Sequence, residues 1–327
     1  MTYQRVSSTG LPVLEAAEKP MNRPGVSVVI PAYNYAHFLP CAIDSVLAQT
    51  YDLVEVIVVD DGSTDNTREV VAGYGDRVRY IYQTNAGLSA ARNTGIRAST
   101  HDFLGFLDAD DYWRPNFVAR AMELFSQLPG DHAVIAFQSQ FVDEQGRELP
   151  KKSFAEVTRG TLNHRHVLLK NRFAADAVVV KKAALLAVGF YDEKLRSSED
   201  RDMWVRIGAR FPLYLDEERL AVIRRHGNSM SRNAARMKAN ICRVLQKAKK
   251  EKLVPPGDLF FWLRAYAFMY FQSAWMYYEQ GDRAKACWEL GCSLACWPFY
   301  AQSRTLNEPV FFRMRSLRHF ILHPVKR

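Results

Sequence analysis

From residue 26 to residue 223 the chain repeats one pattern. A short run of β-branched or aromatic residues is followed by a polar break rich in Asp, Asn, Gly or Ser, and then by apolar residues at every third or fourth position. Apolar runs bounded by turn formers read as strands covered on both faces, and the three-to-four spacing reads as helices with one buried side. The pattern predicts strands over 26–30, 54–59, 78–82 and 103–107. Helices are predicted after the first through Leu39, Ile43, Val46 and Leu47, after the second through Val70 and Val71 with Asp65 as N-cap, and after the third over 88–96. Strands alternating with helices make a mostly parallel α/β sheet with right-handed crossovers.

The same reading continues more loosely downstream. A helix through Val118, Met122 and Phe125 is predicted to stop near Pro129-Gly130, ahead of a strand over 133–137. Residues 142–172 read as a polar, acceptor-facing insertion. A strand over 177–180, a helix through Ala187, an amphipathic helix carrying Met203, Trp204 and Ile207, and a strand over 220–223 complete the α/β part. From Met237 the composition shifts to helix formers, basic residues and aromatics. Two helices are predicted around Gln280-Gly281-Asp282, and such a hairpin must cover its apolar side with the preceding domain or a partner chain. The expected organisation is a polar leader over 1–24, an α/β domain over 25–235 and a helical region over 236–327.

Net charge is +9, which favours an anionic partner: a nucleotide, a phospholipid surface or nucleic acid. The five cysteines form no C-x-x-C pair. They read as free thiols of a reducing compartment, and the first two dozen residues have no apolar signal-peptide core, so a cytoplasmic location is expected. The stretch 259–278 is interrupted by Arg264 and Gln272 and reads as a packed helix rather than a membrane span. The tail 311–320 is basic and amphipathic, and peripheral contact with a membrane is one reading of it.

Chemistry concentrates where strands end. Phe103-Leu104-Gly105-Phe106-Leu107 stops at Asp108-Ala109-Asp110-Asp111, which would place carboxylates at the C-terminal mouth of a strand, where open α/β sheets bind ligands. Crowded carboxylates suit Mg2+ or Mn2+ and leave coordination positions for nucleotide phosphates. The loops after Ile30 and Val59 would converge on the same cleft. No G-x-G-x-x-G and no G-x-x-x-x-G-K-[ST] loop occurs after the first strand, which argues against a dinucleotide oxidoreductase and a P-loop ATPase. Asp111 reads as a helix N-cap ahead of Trp113.

Five runs follow one another in order: Val28-Val29-Ile30-Pro31-Ala32-Tyr33-Asn34, Val58-Val59-Asp60-Asp61-Gly62-Ser63-Thr64-Asp65, Asn85-Ala86-Gly87-Leu88-Ser89-Ala90-Ala91-Arg92-Asn93, Phe106-Leu107-Asp108-Ala109-Asp110-Asp111 and Ser198-Glu199-Asp200. This succession resembles the family 2 glycosyltransferases of GT-A fold over residues 25–232. The resemblance implies a Rossmann-like, mostly parallel sheet and a metal-dependent, inverting transfer of a sugar from a nucleotide-diphosphate donor, UDP-linked above all. The acceptor it implies is a glycan or lipid-linked glycan, as in surface polysaccharide assembly. It assigns Pro31, Tyr33, Asn34, Asp60, Asp61, Asn85, Arg92 and Asp108 to donor binding, with Tyr33 beside the base and Asp61 accepting from it. Asp110, supported by Asp108 and His226, is implied at the metal, and Asp200 as general base. Arg201-Asp202-Met203-Trp204 departs from the Q-x-x-R-W run of processive synthases, which points to addition of a single sugar. The residues alone leave two other classes open: a sugar-phosphate nucleotidyltransferase, or a non-catalytic nucleotide-binding scaffold. Duplex DNA binding through net charge alone is not expected.

Overall fold

A computed structural model describes residues 23–149, 159–227, 233–299, 302–303, 306–307 and 311–323. The leader expected over 1–24 lies almost wholly outside the described residues. The first half of the chain alternates as its pattern predicts: β1 (Val26–Ala32), α1 (Leu39–Leu47), β2 (Val54–Asp60), α2 (Thr67–Ala72), β3 (Arg79–Tyr82), α3 (Leu88–Ala98) and β4 (Phe103–Phe106). There follow β5 (Tyr112–Trp113), α4 (Phe117–Gln127), β6 (Val134–Val142), β7 (Gly160–Leu162), α5 (His164–Leu169), β8 (Val178–Lys181), α6 (Lys182–Val188), α7 (Glu199–Gly208) and β9 (Leu213–Arg224). These strands form one mixed sheet in the order β3-β2-β1-β4-β8-β6-β9-β5, with β7 paired to β9. The first four are parallel, β8 runs antiparallel to β4 and β6, and β6 and β9 are parallel.

Strand alternation feeds two cores. Val29, Ile57, Val59, Leu104 and Phe106 face one side, with Ala91 and Ile96 of α3 and Met203, Trp204 and Ile207 of α7. Val28, Ile30, Val56 and Val58 face the other, with Leu39, Ile43 and Val46 of α1 and Phe117 and Val118 of α4. Each Val, Leu, Ile, Met or Phe among them, wholly removed from water, contributes about 1.5–3 kcal/mol before chain entropy is counted.

Four expectations change. Asp111 caps no helix: Tyr112 and Trp113 form a short strand against β9, and α4 begins at Phe117. Asp65 lies one residue before the N-cap Asn66, although its carboxylate still accepts from the Thr67 N–H (3.1 Å). The last strand begins at Leu213 rather than at 220, because the acidic turn around Asp216 bulges without ending it. The polar insertion is partly regular, containing β7 and α5; residues 150–158 of it are outside the described residues.

The C-terminal region is helical: α8 (Ala234–Lys250), α9 (Leu259–Glu279), α10 (Arg283–Cys296) and α11 (Phe312–Leu322), with the short pair β10 (Gln302–Ser303) and β11 (Leu306–Asn307) between the last two. The hairpin covers its apolar side with the preceding part of this chain. Val244, Leu245, Phe261, Trp262 and Phe268 belong to the same core as Trp204 and Leu168. Among the described residues no helix is long and apolar enough to cross a membrane, and α9 packs into the core through Phe261, Trp262 and Phe268. All five cysteines are unpaired.

Candidate active site

The cleft opens where β1 loses one neighbour. Residues 26–29 of β1 pair with β4, whereas pairing with β2 continues to Ala32. Pro31, which has no N–H to give a ladder, lies past the end of β4, where no strand needs one. Strand order also reverses at β1, with β2 on one side and β4 on the other, so the crevice lies at the carboxyl ends of these strands.

Two loops on the β2 side are tied to each other. Asn34, with φ of 57°, donates its backbone N–H to Ser63 Oγ (3.0 Å) and accepts from the Thr64 N–H at Oδ1 (2.7 Å). Asp60 is buried and serves the turn, accepting from the Ser63 N–H (2.8 Å) and the Tyr80 hydroxyl (2.6 Å). Asp61 is also buried. It accepts from Gln83 Nε2 (2.6 Å), the Ala86 N–H (2.9 Å) and the Gly87 N–H (2.8 Å), so it shapes the β3–α3 loop that carries Asn85. A carboxylate has about four acceptor positions, leaving Asp61 one for a ligand donor. Asn85 is exposed and its backbone approaches Gly62, where φ of +77° and a neighbour 2.8 Å from any added Cβ both require glycine. Tyr33 stands 47% exposed at the end of β1, a free aromatic face.

Arg92 is held differently from a ligand-facing arginine. It is 1% exposed, donating from Nη2 to Asp108 Oδ1 (2.7 Å) and from Nη1 to Glu199 Oε1 (2.6 Å). Its guanidinium therefore joins the Asp108–Asp111 loop to the N-terminus of α7. Flanking anions hold its pKa well above the usual value against the opposing effect of burial.

Asp110 accepts from or shares a proton with His226, Oδ2 to Nε2 being 2.7 Å. Burial and the nearby Asp108 raise its pKa, and His226 opposes them. Tyr35 and Phe38 pack on the His226 ring at centroid distances of 5.6 and 5.4 Å. Burial, then the charges of Asp110, Asp108 and Asp111, push the Tyr35 hydroxyl up to about 12. Asp111 turns away from the cleft, accepting from the Arg224 N–H (2.7 Å), and burial foremost, then the buried Asp176, holds its pKa well above the usual carboxylate range. Among the described residues no three acidic, histidine or cysteine side chains are already gathered as a metal cage. The donors still suit a hard divalent cation: Asp110 and His226 are in contact, and Asp108 has only one oxygen committed to Arg92.

Asp200 sits in the first turn of α7, after Ser198 at φ of 58°. A non-glycine residue in that region is strained, and such strain collects at functional loops. Asp200 accepts from Asn171 Nδ2 (2.8 Å) and the Arg201 N–H (2.7 Å). Burial foremost, then Glu199, raises its pKa to about 7, while the Arg201 N–H, Arg92 and Asn171 restrain the rise.

Residues 27–184 match the sequence profile described as Glycosyl transferase family 2. This stretch forms a family 2 glycosyltransferase domain. An uncharacterized glycosyltransferase of Rickettsia felis is 32% identical over 221 residues, 66% of this chain but 37% of that protein. The chain thus spans little more than a third of that relative. Fold similarity reaches further along the chain. A crystal structure of S. aureus TarS in complex with UDP-GlcNAc matches with a TM-score of 0.56 at 16% identity, covering 88% of this chain and 97% of that one. The mannosyltransferase PcManGT of Pyrobaculum calidifontis, in complex with GDP-Man and Mn2+, matches with a TM-score of 0.60 at 19% identity, covering 84% and 76%. The GT-A fold expected from the sequence is therefore present, with the helical region carried beside it.

In this glycosyltransferase fold three site residues escaped the sequence reading. Glu199 stood inside a noticed motif, but nothing marked its pairing with Arg92, 107 positions away. Tyr35 follows the Tyr33-Asn34 signal directly, and its aromatic neighbours His37 and Phe38 could have marked it. Asn171 lay in a polar stretch without periodicity, where no local pattern could single it out.

Proposed function

We propose that the chain is an inverting, metal-dependent, non-processive glycosyltransferase that moves a sugar from a nucleotide-diphosphate donor, UDP-linked in the first instance, to a hydroxyl of a glycan or lipid-linked glycan. The observation that carries this is the Asp108–Arg92–Glu199 bridge. One guanidinium binds the neighbours of both Asp110 and Asp200, so the donor-side and acceptor-side carboxylates flank a single crevice.

Asp200 takes the proton of the acceptor hydroxyl as that oxygen bonds to the anomeric carbon and the bond to the diphosphate breaks. A carboxyl titrating near 7 is matched to this work at neutral pH. Attack opposite the leaving group inverts the anomeric centre in one displacement. Tyr33 stacks on the base, and the remaining acceptor position of Asp61 takes a base N–H. Arg92 holds Asp108 and α7 in register, a positioning role that its burial supports. Asp110 and His226, with the second oxygen of Asp108, would hold Mn2+ or Mg2+, whose chemistry when bound is to offset charge gathering on the departing diphosphate. Structural neighbours solved with UDP-GlcNAc, or with GDP-Man and Mn2+, support the donor class. Surface polysaccharide assembly is the setting this reading fits.

The test is a screen of nucleotide sugars for Mn2+-stimulated release of nucleoside diphosphate, repeated with Asp200→Asn. Nucleoside diphosphate as product supports transfer. Pyrophosphate released from a nucleoside triphosphate and a sugar phosphate would assign the cleft to nucleotidyl transfer instead.

A further inference from the structure

The cleft leaves unexplained an outward surface on the last helix. Phe311, Met314, Ile321 and Leu322 are 70%, 52%, 56% and 57% exposed, and Arg315 and Arg318 are exposed with them. These six recur at three- and four-residue spacing, so they share one side of α11. The opposite side holds the helix in place. Arg313 is buried and donates to the Trp297 carbonyl (2.5 Å). Phe320 stacks on Tyr278 at 4.5 Å and meets Trp275 edge-on at 4.9 Å, and the Tyr278 hydroxyl donates to the His323 carbonyl (2.7 Å). The helix thus buries Phe320 together with Arg313 and Ser316, and still leaves four large apolar side chains outward. A second aromatic group adjoins its start: Trp297 lies 6.1 Å from the exposed Phe260 and 5.4 Å from the exposed Phe299.

We infer that this face of α11 docks on an anionic lipid bilayer, lying in the interface plane rather than crossing it. Four apolar side chains flanking two arginines suit the boundary between acyl chains and headgroups, and exposed aromatics beside them suit the headgroup level. Charge selects the occupant. Residues 283–327 contain eight Lys or Arg against two Glu, and one of those glutamates, Glu289, is buried against Lys238. A second copy of the chain would not offset that charge. A two-fold contact sets the same patch against itself, bringing Arg315 and Arg318 toward their own counterparts with no acid on the face to receive them. A phosphatidylglycerol-containing surface offsets them directly, and it would hold the enzyme where lipid-linked acceptors reside.

The experiment is co-sedimentation of the full chain with vesicles of phosphatidylcholine, with and without phosphatidylglycerol, at low and high salt. Binding is expected only with phosphatidylglycerol and should weaken with salt. Arg315→Gln with Arg318→Gln should weaken partitioning about thirtyfold, the product of two surface cations. Phe311→Ser with Met314→Ser should reduce binding while light scattering shows the same monomer and circular dichroism the same helix content. Failure to bind either vesicle, equal binding to both, or unchanged binding by the double variants would overturn the inference. So would a wild-type dimer that Phe311→Ser with Met314→Ser dissociates, since the face would then belong to a second copy. None of these readouts depends on donor or turnover.

Discussion

At the scale of single residues, Arg92 and Asp200 carry the most testable chemistry. Arg92→Met leaves Asp108 and Glu199 facing each other without their shared cation. Breaking a buried pair in this way costs about 3–5 kcal/mol, read as a lowered denaturant midpoint. Asp200 has a folded-state pKa of about 7 against an ordinary value of 3.8. The native state therefore holds the proton that the unfolded chain has lost, and this group makes stability fall as pH climbs from about 4 to about 7. Asp200→Asn removes that dependence. Thermal melts should show the variant gaining on wild type as pH rises from about 4 to about 7 and keeping that lead above it, while its turnover falls by about 10²–10⁴. In the wild type, kcat/KM should rise with pH along a limb centred near 7. A variant that melts as wild type does at every pH would place Asp200 in a solvated setting unfit for the role.

At the scale of elements, β4 and its closing loop set the site, and Gly105 controls their fit. A Cβ there would stand 2.5 Å from the ring of Trp113, which is itself buried and stacked on Phe117 at 4.0 Å. Gly105→Ala should cost about 1–3 kcal/mol by overpacking. It should also raise KM for the donor, because Trp113 lies two residues beyond Asp111. This part of the molecule was legible in advance: β1 to β4 and α1 to α3 stand within a residue or two of where the apolar runs put them. Buried parallel strands are continuous apolar runs, and Pro31, Gly87 and the Asp clusters punctuate them. Legibility fell after Trp113. β5 has only two residues and draws its hydrogen bonds from β9, a hundred positions away, so Asp111 looked like a helix cap. β9 hid behind Asp216-Glu217-Glu218-Arg219, whose charge masks a strand that bends without stopping.

At the scale of the whole molecule, the roles suggested for Asp110, His226 and Asp200 depend on contacts that no local pattern encodes. His226 reaches Asp110 across 116 positions and Asn171 reaches Asp200 across 29. The sequence could nominate these residues by type and order, whereas their mutual distances come from the sheet that gathers the loops. The helical region was legible as helices and not as an arrangement. Nothing in its periodicity told that α8 and α9 would complete the core beneath α7, or that Phe320 would anchor α11 against Tyr278 and Trp275. The central claim is that one crevice binds a nucleotide sugar on the Asp110 side and activates an acceptor with Asp200. Its most direct test is the rate of nucleoside diphosphate release from the preferred nucleotide sugar, with Mn2+ or a chelator, for wild type, Asp110→Asn and Asp200→Asn. Mn2+-dependent release by wild type is expected, lost in both variants, with Asp200→Asn still stabilised against heat by UDP and Mn2+. Undiminished release by Asp200→Asn would contradict the account.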